Sequence, residues 1–512
     1  MRRLIAAVAL VLMPVSSFAD LQNVDVGGQL RIRGRYWSNT FSEPGRETRI
    51  PDFFLPRRPI GPTGTNSRMA FDDDTNSRGI VEQSTKLRVS ADFTDEVNAV
   101  IELVDIANWG EGDFRSNYIT GVDSRANTSE DVEVLQAYIE MNEAWGAPLR
   151  LRIGRQQLTL FDGWLVGPVL GILELSFDAV RGTYTAGDFV VDGWWAKLAE
   201  SGIDEQDGDV DFYALSLAYN GFEGHELGAY WLYLRDARSL NDTNFAAPIE
   251  WMEDVVGLDD YDPTNLHTIG IRAAGEFGPF DYSLNAAYQT GNADSAGQLF
   301  APFLYGDTGA EYDSWAGDLE IGYQFDVAWQ PRVFLGATYF GGEDERDLTF
   351  LEWANPFYRP EASVSFNRLF SSRTYYFLID QDRNASNFHI FLLGVEAKPT
   401  DAIGIEANVM KLGNNEAFDH PASVSVGQFR IPLAPALSFW TEESGKDIGW
   451  MARLYFTYSY SEDLQFRLLL EHLFADGDLD EGNFMNSNGL EFYGGSDHDD
   501  STYVHFETIL KF

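Results

Sequence analysis

The chain ends on an aromatic residue, Phe512, and the segment before it places Val504, Phe506, Thr508, Leu510 and Phe512 at alternate positions. A period of two sets all five on one face of a strand and their neighbours on the other. In hydrocarbon every backbone N–H and C=O must find a partner within the protein, which leaves long helices and closed barrels as the spanning structures. A strand with one apolar face and a terminal aromatic suits the barrel, and it directs how the rest of the chain is read.

Met1, Arg2 and Arg3, the apolar run Leu4 to Val15, and then Ser17, Phe18 and Ala19 form the charged, apolar and small-residue parts of a secretory signal peptide. Residues 1–19 are therefore expected to be removed, leaving residues 20–512 as a single barrel. The two lost arginines, with no acid in the segment, move the formal charge from −44 to −46. No later stretch supplies the roughly 18 apolar residues a membrane helix needs, and the richest, Trp164 to Phe177, is interrupted by Glu174. The absence of cysteine means that disulfides contribute nothing to the fold. Aromatics make up 14% of the chain, a load that the two interfacial girdles of a membrane barrel accommodate. A secreted sandwich or propeller is the soluble alternative.

Alternating segments recur near 24–38, 82–93, 97–108, 132–142, 148–157, 176–186, 188–199, 210–220, 224–235, 265–277, 280–290, 312–327, 331–341, 386–398, 402–412, 447–459, 464–474 and 501–512. The reading is an all-β, antiparallel transmembrane barrel of about 18 strands. Every second connection carries tight-turn chemistry, as in Gly187-Asp188, Asn220-Gly221 and Gly278-Pro279, and those between are long. Short periplasmic turns, long extracellular loops and an even strand number are expected of a porin-like barrel. One of this width leaves an aqueous channel. Strand one starts close to the expected cleavage site, with no room for a plug domain.

Basic residues favour the inward lattice. In strand one Arg31, Arg33 and Arg35 alternate with Leu30, Ile32 and Gly34. Lys86 and Arg88 alternate with Leu87 and Val89, and Arg150 and Arg152 with Leu149, Leu151 and Ile153. The same alternation turns Arg181, Arg272, Arg332, Arg453 and Arg467 inward, against acids such as Asp92, Glu102, Glu140, Glu320, Glu406, Glu471 and Glu507. An arginine facing lipid at the midplane would cost about 2–4 kcal/mol, which forces the inward assignment. One purpose is a lattice of cross-strand ion pairs, for instance Arg88 with Glu102 or Arg150 with Glu140. The other is a path for anions: Arg31, Arg33, Arg35, Lys86 and Arg88 form an apparent surplus on adjacent strands, and guanidinium groups grip carboxylates while weak multiple contacts let a polymer slide.

Between the fifth and sixth strands lie Gly154-Arg155-Gln156, Asp162 with Leu165-Val166-Gly167, and Phe177-Asp178-Ala179-Val180-Arg181. This stretch resembles the alginate-export family of outer-membrane barrels, with fainter similarity at Val191-Asp192 and Leu470-Glu471-His472. The resemblance implies a passive outer-membrane channel exporting an anionic polysaccharide such as alginate or a related polyuronate. Gly154, Arg155, Gln156, Asp162, Phe177 and Asp178 are the residues that match the family pattern. Where that pattern carries an arginine before Leu-Val-Gly, this chain has Trp164. Pairing of Arg155 with Asp178 would set Arg152 opposite Arg181, and two like charges across a ladder call for an acid or a bound anion between them. The hairpin is thus either an anion site or a structural clamp at the rim.

Loops 39–81 and 342–385 carry arginines, prolines and aromatics and are candidates to fold inward. The expected surroundings are outer-membrane lipid outside and an anionic polysaccharide or small anionic solute inside. Any regulated export would need a periplasmic partner, and nucleic acid is not an expected one. Acidic loop runs, Asp72-Asp73-Asp74 and the residues after Asp476, read as solvated faces; the latter lacks the glycine and terminal glutamate of an EF-hand, and no metal or cofactor is assigned. A barrel lipase would need His, Ser and Asn on an outward strand face, but the nearest sequence, Asn486-Ser487-Asn488, has Met485 where histidine would stand. An enzyme is therefore not expected. A general or small-anion porin shares the fold and charge pattern and stays as the alternative.

Overall fold

The structure, a computed structural model, describes residues 22–40, 68–71, 76–94, 96–109, 132–170, 173–200, 209–237, 263–292, 311–342, 349–354, 365–378, 383, 385–417, 419–421, 423–426, 429–432, 441–443, 445–476, 485–486, 491–494 and 500–512. The expected signal peptide and most of the acidic loop runs lie outside them, as do Ser487 and Asn488.

Eighteen strands form one sheet: β1 (Asn23–Thr40), β2 (Asn76–Thr94), β3 (Val97–Asn108), β4 (Glu133–Met141), β5 (Leu149–Gln156), β6 (Phe177–Ala186), β7 (Phe189–Ala199), β8 (Val210–Tyr219) and β9 (His225–Asp236) make the first half. The second half is β10 (Thr264–Phe277), β11 (Phe280–Asn292), β12 (Glu311–Gln324), β13 (Arg332–Phe340), β14 (Phe388–Thr400), β15 (Ile403–Asn414), β16 (Asp447–Ser459), β17 (Leu464–Ala475) and β18 (Ser501–Lys511). Each strand pairs antiparallel with its neighbours in sequence, and β1 pairs with β18 from Gln29↔Lys511 to Ser38↔Thr502, so the sheet has no edge. The strands lie where the alternation put them. The largest boundary difference is at β2, which begins at Asn76 because it keeps pairing with the end of β1 as far as Thr40↔Asn76.

Burial is inverted relative to a water-soluble protein. Ile101, Leu335 and Phe391 are 51%, 60% and 61% exposed, whereas Thr268, Gln289 and Glu471 are at most 1% exposed. Apolar side chains on the outer face are what hydrocarbon requires, and the polar ones line the inside. Two aromatic belts bound the apolar zone. Phe189 and Tyr219 (centroids 4.7 Å apart), Phe280 and Tyr323, and Tyr458 lie near the ends joined by short connections, while Trp315 stacked on Tyr339 (4.1 Å), Tyr233 and Trp450 lie near the other. His225, His267, His389 and His472 join these belts, His267 stacking on Tyr233 at 4.4 Å and His472 packing edge-on to Phe474 at 4.5 Å.

At Gly154, φ is +125° and a Cβ would come within 2.4 Å of the Ala137 carbonyl oxygen, so only glycine allows β4 and β5 to meet there. Gly187 and Gly278 take positive φ (60° and 63°) in the two-residue turns before β7 and β11.

Leu393 is 55% exposed on the outer face, so Leu393→Arg is expected to cost about 2–4 kcal/mol in reversible unfolding from lipid vesicles. Thr457→Gln, on the lumenal face opposite Arg467, should change stability by no more than about 0.5 kcal/mol in the same measurement.

Candidate functional site

Two connections run inside the barrel. Residues 158–170 follow β5 and residues 365–378 follow β13, and their apolar side chains Leu158, Trp164, Leu165, Val166, Phe366 and Tyr376 are almost fully buried. They are zipped together: the Phe370 N–H donates to the Leu165 carbonyl (2.9 Å), the Gly167 N–H to the Phe370 carbonyl (2.9 Å) and the Ser372 N–H to the Gly163 carbonyl (3.0 Å). Their tight approach depends on glycine, because a Cβ on Gly167 would come within 2.1 Å of the Ser372 hydroxyl oxygen.

The second segment acts as a strap across the lumen. It starts at β11, where Gln289 exchanges hydrogen bonds with the backbone of Asn367 (both 2.7 Å). Next, Arg373 pairs with Asp318 of β12, and the Tyr375 hydroxyl accepts from the Trp164 indole N–H at 2.9 Å. The strap reaches the far wall at β17 and β18. There the Glu471 carboxylate accepts from the N–H groups of Phe377 (2.8 Å) and Leu378 (3.2 Å), and the Phe377 ring stacks on Tyr503 at 5.8 Å. The expectation that 342–385 folds inward holds for this part of it. Most of 39–81 lies outside the described residues.

Of the motif residues, Gln156, Phe177 and Asp162 anchor the first segment rather than project into an open channel. Gln156 is fully buried and its amide donates to the Ala179 carbonyl (3.0 Å). Phe177 packs edge-on against Phe370 at 5.1 Å. Asp162 accepts from Asn285 (3.1 Å), pairs with Arg272 (3.1 Å) and lies 3.8 Å from Arg373, so one carboxylate joins the loop, the wall and the strap. Trp164 packs between the rings of Phe340 and Phe366. Arg155 and Asp178 form a bidentate pair, both bonds 2.9 Å, in register across β5 and β6 and on the same outward lattice as Ile153 and Val180. This is the rim clamp.

The same register sets Arg152 opposite Arg181. Each has its own carboxylate: Arg152 donates to Glu140 (2.8 Å from Nε) and Arg181 to Asp192 (3.0 Å). The anion-site reading of this pair is therefore overturned.

The expected surplus near β1 is also corrected. Arg31 pairs with Glu507, Glu82 takes both Arg33 (2.9 Å) and Arg35 (2.5 Å), and Lys86 reaches Glu174 (2.7 Å). Arg453 pairs with Glu471 and Arg467 lies 3.5 Å from Glu507. Glu82 and Glu174 carry much of this correction. Glu82 is the first residue of the expected 82–93 strand and shares the inward lattice of Lys86 and Arg88, and Glu174 lies in a connection whose inward path has no local signature. The cross-strand pairs expected for Arg88 and Arg150 do not form: Glu102 takes Gln136 (2.5 Å), and Glu140 takes Arg152. Arg88 and Arg150 are exposed on the lumenal lattice and have no carboxylate partner among the described residues.

A closed barrel with an apolar outer face, a polar interior and inward segments defines a channel of the bacterial outer membrane rather than an enzyme. More particularly, the chain belongs to the alginate export family, whose model matches residues 23–485. Among curated proteins none matches. Solved structures similar to the chain include Pseudomonas aeruginosa OccK8 (OprE), at 11% identity over 95% of this chain and 98% of that one with a TM-score of 0.47. Others are Pseudomonas aeruginosa OccD3 (OpdP), at 12% over 98% and 96% with a TM-score of 0.46, and Acinetobacter baumannii OccAB3, at 10% over 95% and 100% with a TM-score of 0.46.

Gly167→Val inserts a side chain where Ser372 already sits, an overpacking that should cost about 1–3 kcal/mol of strap docking. The expected readouts, relative to the native chain, are noisier single-channel current and faster trypsin cleavage at Arg373 in the folded barrel.

Proposed function

We propose that the protein is a passive channel for an anionic polysaccharide of the polyuronate type, with the β1–β6 wall as the polymer's path. The observation that carries this reading is that the inward segments fasten mainly to β6–β18. The opposite arc, with Arg88 and Arg150 unpaired among the described residues and Arg31 and Arg152 partly exposed, is left to face the lumen. Exposed guanidinium groups hold carboxylates bidentately, and each such contact in water is weak enough, about 0.2–1 kcal/mol, for a chain to move on. In this reading the short connections face the periplasm and the long ones the exterior. The basic residues of the path are Arg31, Arg33, Arg35, Lys86, Arg88, Arg150, Arg152 and Arg181, with Arg272, Arg453 and Arg467 further round the barrel.

A second reading, a porin for small anionic solutes, is favoured by the strap itself, because a segment fixed across the lumen narrows it for a bulky polymer. Planar-bilayer recordings separate the two. Under the polymer reading, oligouronates added to one side block the current, and Arg88→Gln with Arg150→Gln weakens the block by about 2–30-fold, the worth of two exposed contacts. A current indifferent to oligouronates at millimolar concentration would instead establish the small-solute reading.

A further inference from the structure

The lumenal wall opposite Arg88 and Arg150 is built from carboxylates. On β11–β14 a single guanidinium, Arg332, serves three acids: Asp281 (2.8 Å from Nε), Glu320 (2.7 Å) and Glu396 (3.5 Å). Glu396 in turn stands directly opposite Glu406 of β15 in the ladder, a like-charged pair in which Glu396 has the Arg332 contact and Glu406 accepts from the Asn408 amide at 2.9 Å, with Arg453 of β16 the cation acting on it. Lys398, two residues further along β14 within the irregular register between Ala397 and Thr400, adds one cation near the end of the strand. Glu320 and Glu396 keep 35% and 46% of their side-chain surface exposed, so this excess negative charge faces water rather than being buried.

The position of this wall gives it a role. Nine strands separate β2 from β11 and β5 from β14, which in a ring of eighteen places Arg88 across from Asp281 and Arg150 across from Glu396. All of these residues lie in the half of the barrel nearest the short connections, whereas the strap meets its walls higher up at Gln289 and Glu471, and comes down on the acidic wall only at Asp318, one inward position above Glu320. A water-filled space between low-dielectric walls concentrates counter-ions of opposite sign on opposite sides.

We infer that the lower lumen conducts the two signs of charge along opposite walls, with Glu320, Glu396 and Glu406 drawing hydrated cations while Arg88 and Arg150 draw anionic groups. The channel is then close to non-selective between small anions and cations. A polyanion on the basic wall moves with its counter-cations beside it instead of shedding them. This deepens the polyuronate reading and rests on it for the identity of the polymer, but the charge sorting is tested without any polymer.

The experiment is the reversal potential of the native barrel in a potassium chloride gradient, followed by the Glu320→Gln, Glu396→Gln, Glu406→Gln triple variant and the Arg88→Gln, Arg150→Gln double variant. Heat-modifiable migration checks that each barrel has assembled, and Glu396→Gln alone replaces the triple variant if that fails to do so. The native permeability ratio should lie within about threefold of unity. The acid variant should shift it toward chloride and the arginine variant toward potassium, each by a factor of about three or more. A strongly anion-selective native channel, or an acid variant with an unchanged ratio, overturns the two-wall inference. A native barrel that oligouronates do not block, with the ratio behaving as described, overturns the polyuronate reading alone.

Discussion

The seam between β1 and β18 is the interaction on which everything else depends. Its antiparallel ladder removes the two unpaired strand edges that hydrocarbon does not tolerate, and it works because the first and last strands share one register over ten residue pairs. Once the sheet is closed, each strand has only two environments, and period-two alternation assigns every side chain to one of them. The inverted burial, the two aromatic belts and the polar interior all follow from that closure. The terminal Phe512 contributes directly: its N–H donates to the Gly28 carbonyl and its carbonyl accepts from the Gly28 N–H at 2.8 Å, fastening the last residue to the first strand.

Inside the barrel, charge is governed by a different rule. A guanidinium turned inward escapes lipid, but in a half-hydrated lumen its cheapest partner is a carboxylate on the adjacent strand, and this chain has many acids. Arg33 and Arg35 share Glu82, Arg181 has Asp192, and Arg332 is surrounded by three acids. A count of lumenal arginines therefore overstates the field a permeant meets. What a permeant meets is the residue of charge left after pairing, and that residue differs in sign between the two walls.

The barrel was legible in the sequence because alternation is a local signal: each strand declares its two faces within ten residues, and the turns are marked by Gly-Asp, Asn-Gly and Gly-Pro. The Arg155–Asp178 clamp and its register were legible for the same reason, since both partners belong to one hairpin. Ion-pair partners were less so. Arg88 and Glu102 are register neighbours, yet Glu102 turns to Gln136 on the next strand, a choice made by side-chain reach that alternation does not encode. The inward course of residues 158–170 and 365–378 was the least legible, because it rests on contacts such as Gln289 with Asn367 and Glu471 with Phe377, which are 78 and 94 residues apart.

Trp164 shows how the inward segments became one structure. An arginine at that place, as in the family pattern, would need a carboxylate or water within the lumen. The indole instead packs on Phe340 and Phe366 and donates to Tyr375, so the position serves the strap. A cation is present nearby all the same: the Arg368 guanidinium, fully buried, lies 5.0 Å from the centroids of both Phe340 and Tyr375 and donates to the backbone carbonyl of Ala385 at 3.1 Å. Its charge is spent on holding the strap's own backbone and on two ring faces, where desolvated cation–π contacts are worth about 2 kcal/mol each. The upper lumen is thus organised for rigidity by aromatic packing. Selection by charge is left to the half below it, where the walls are exposed and their ions are only partly paired.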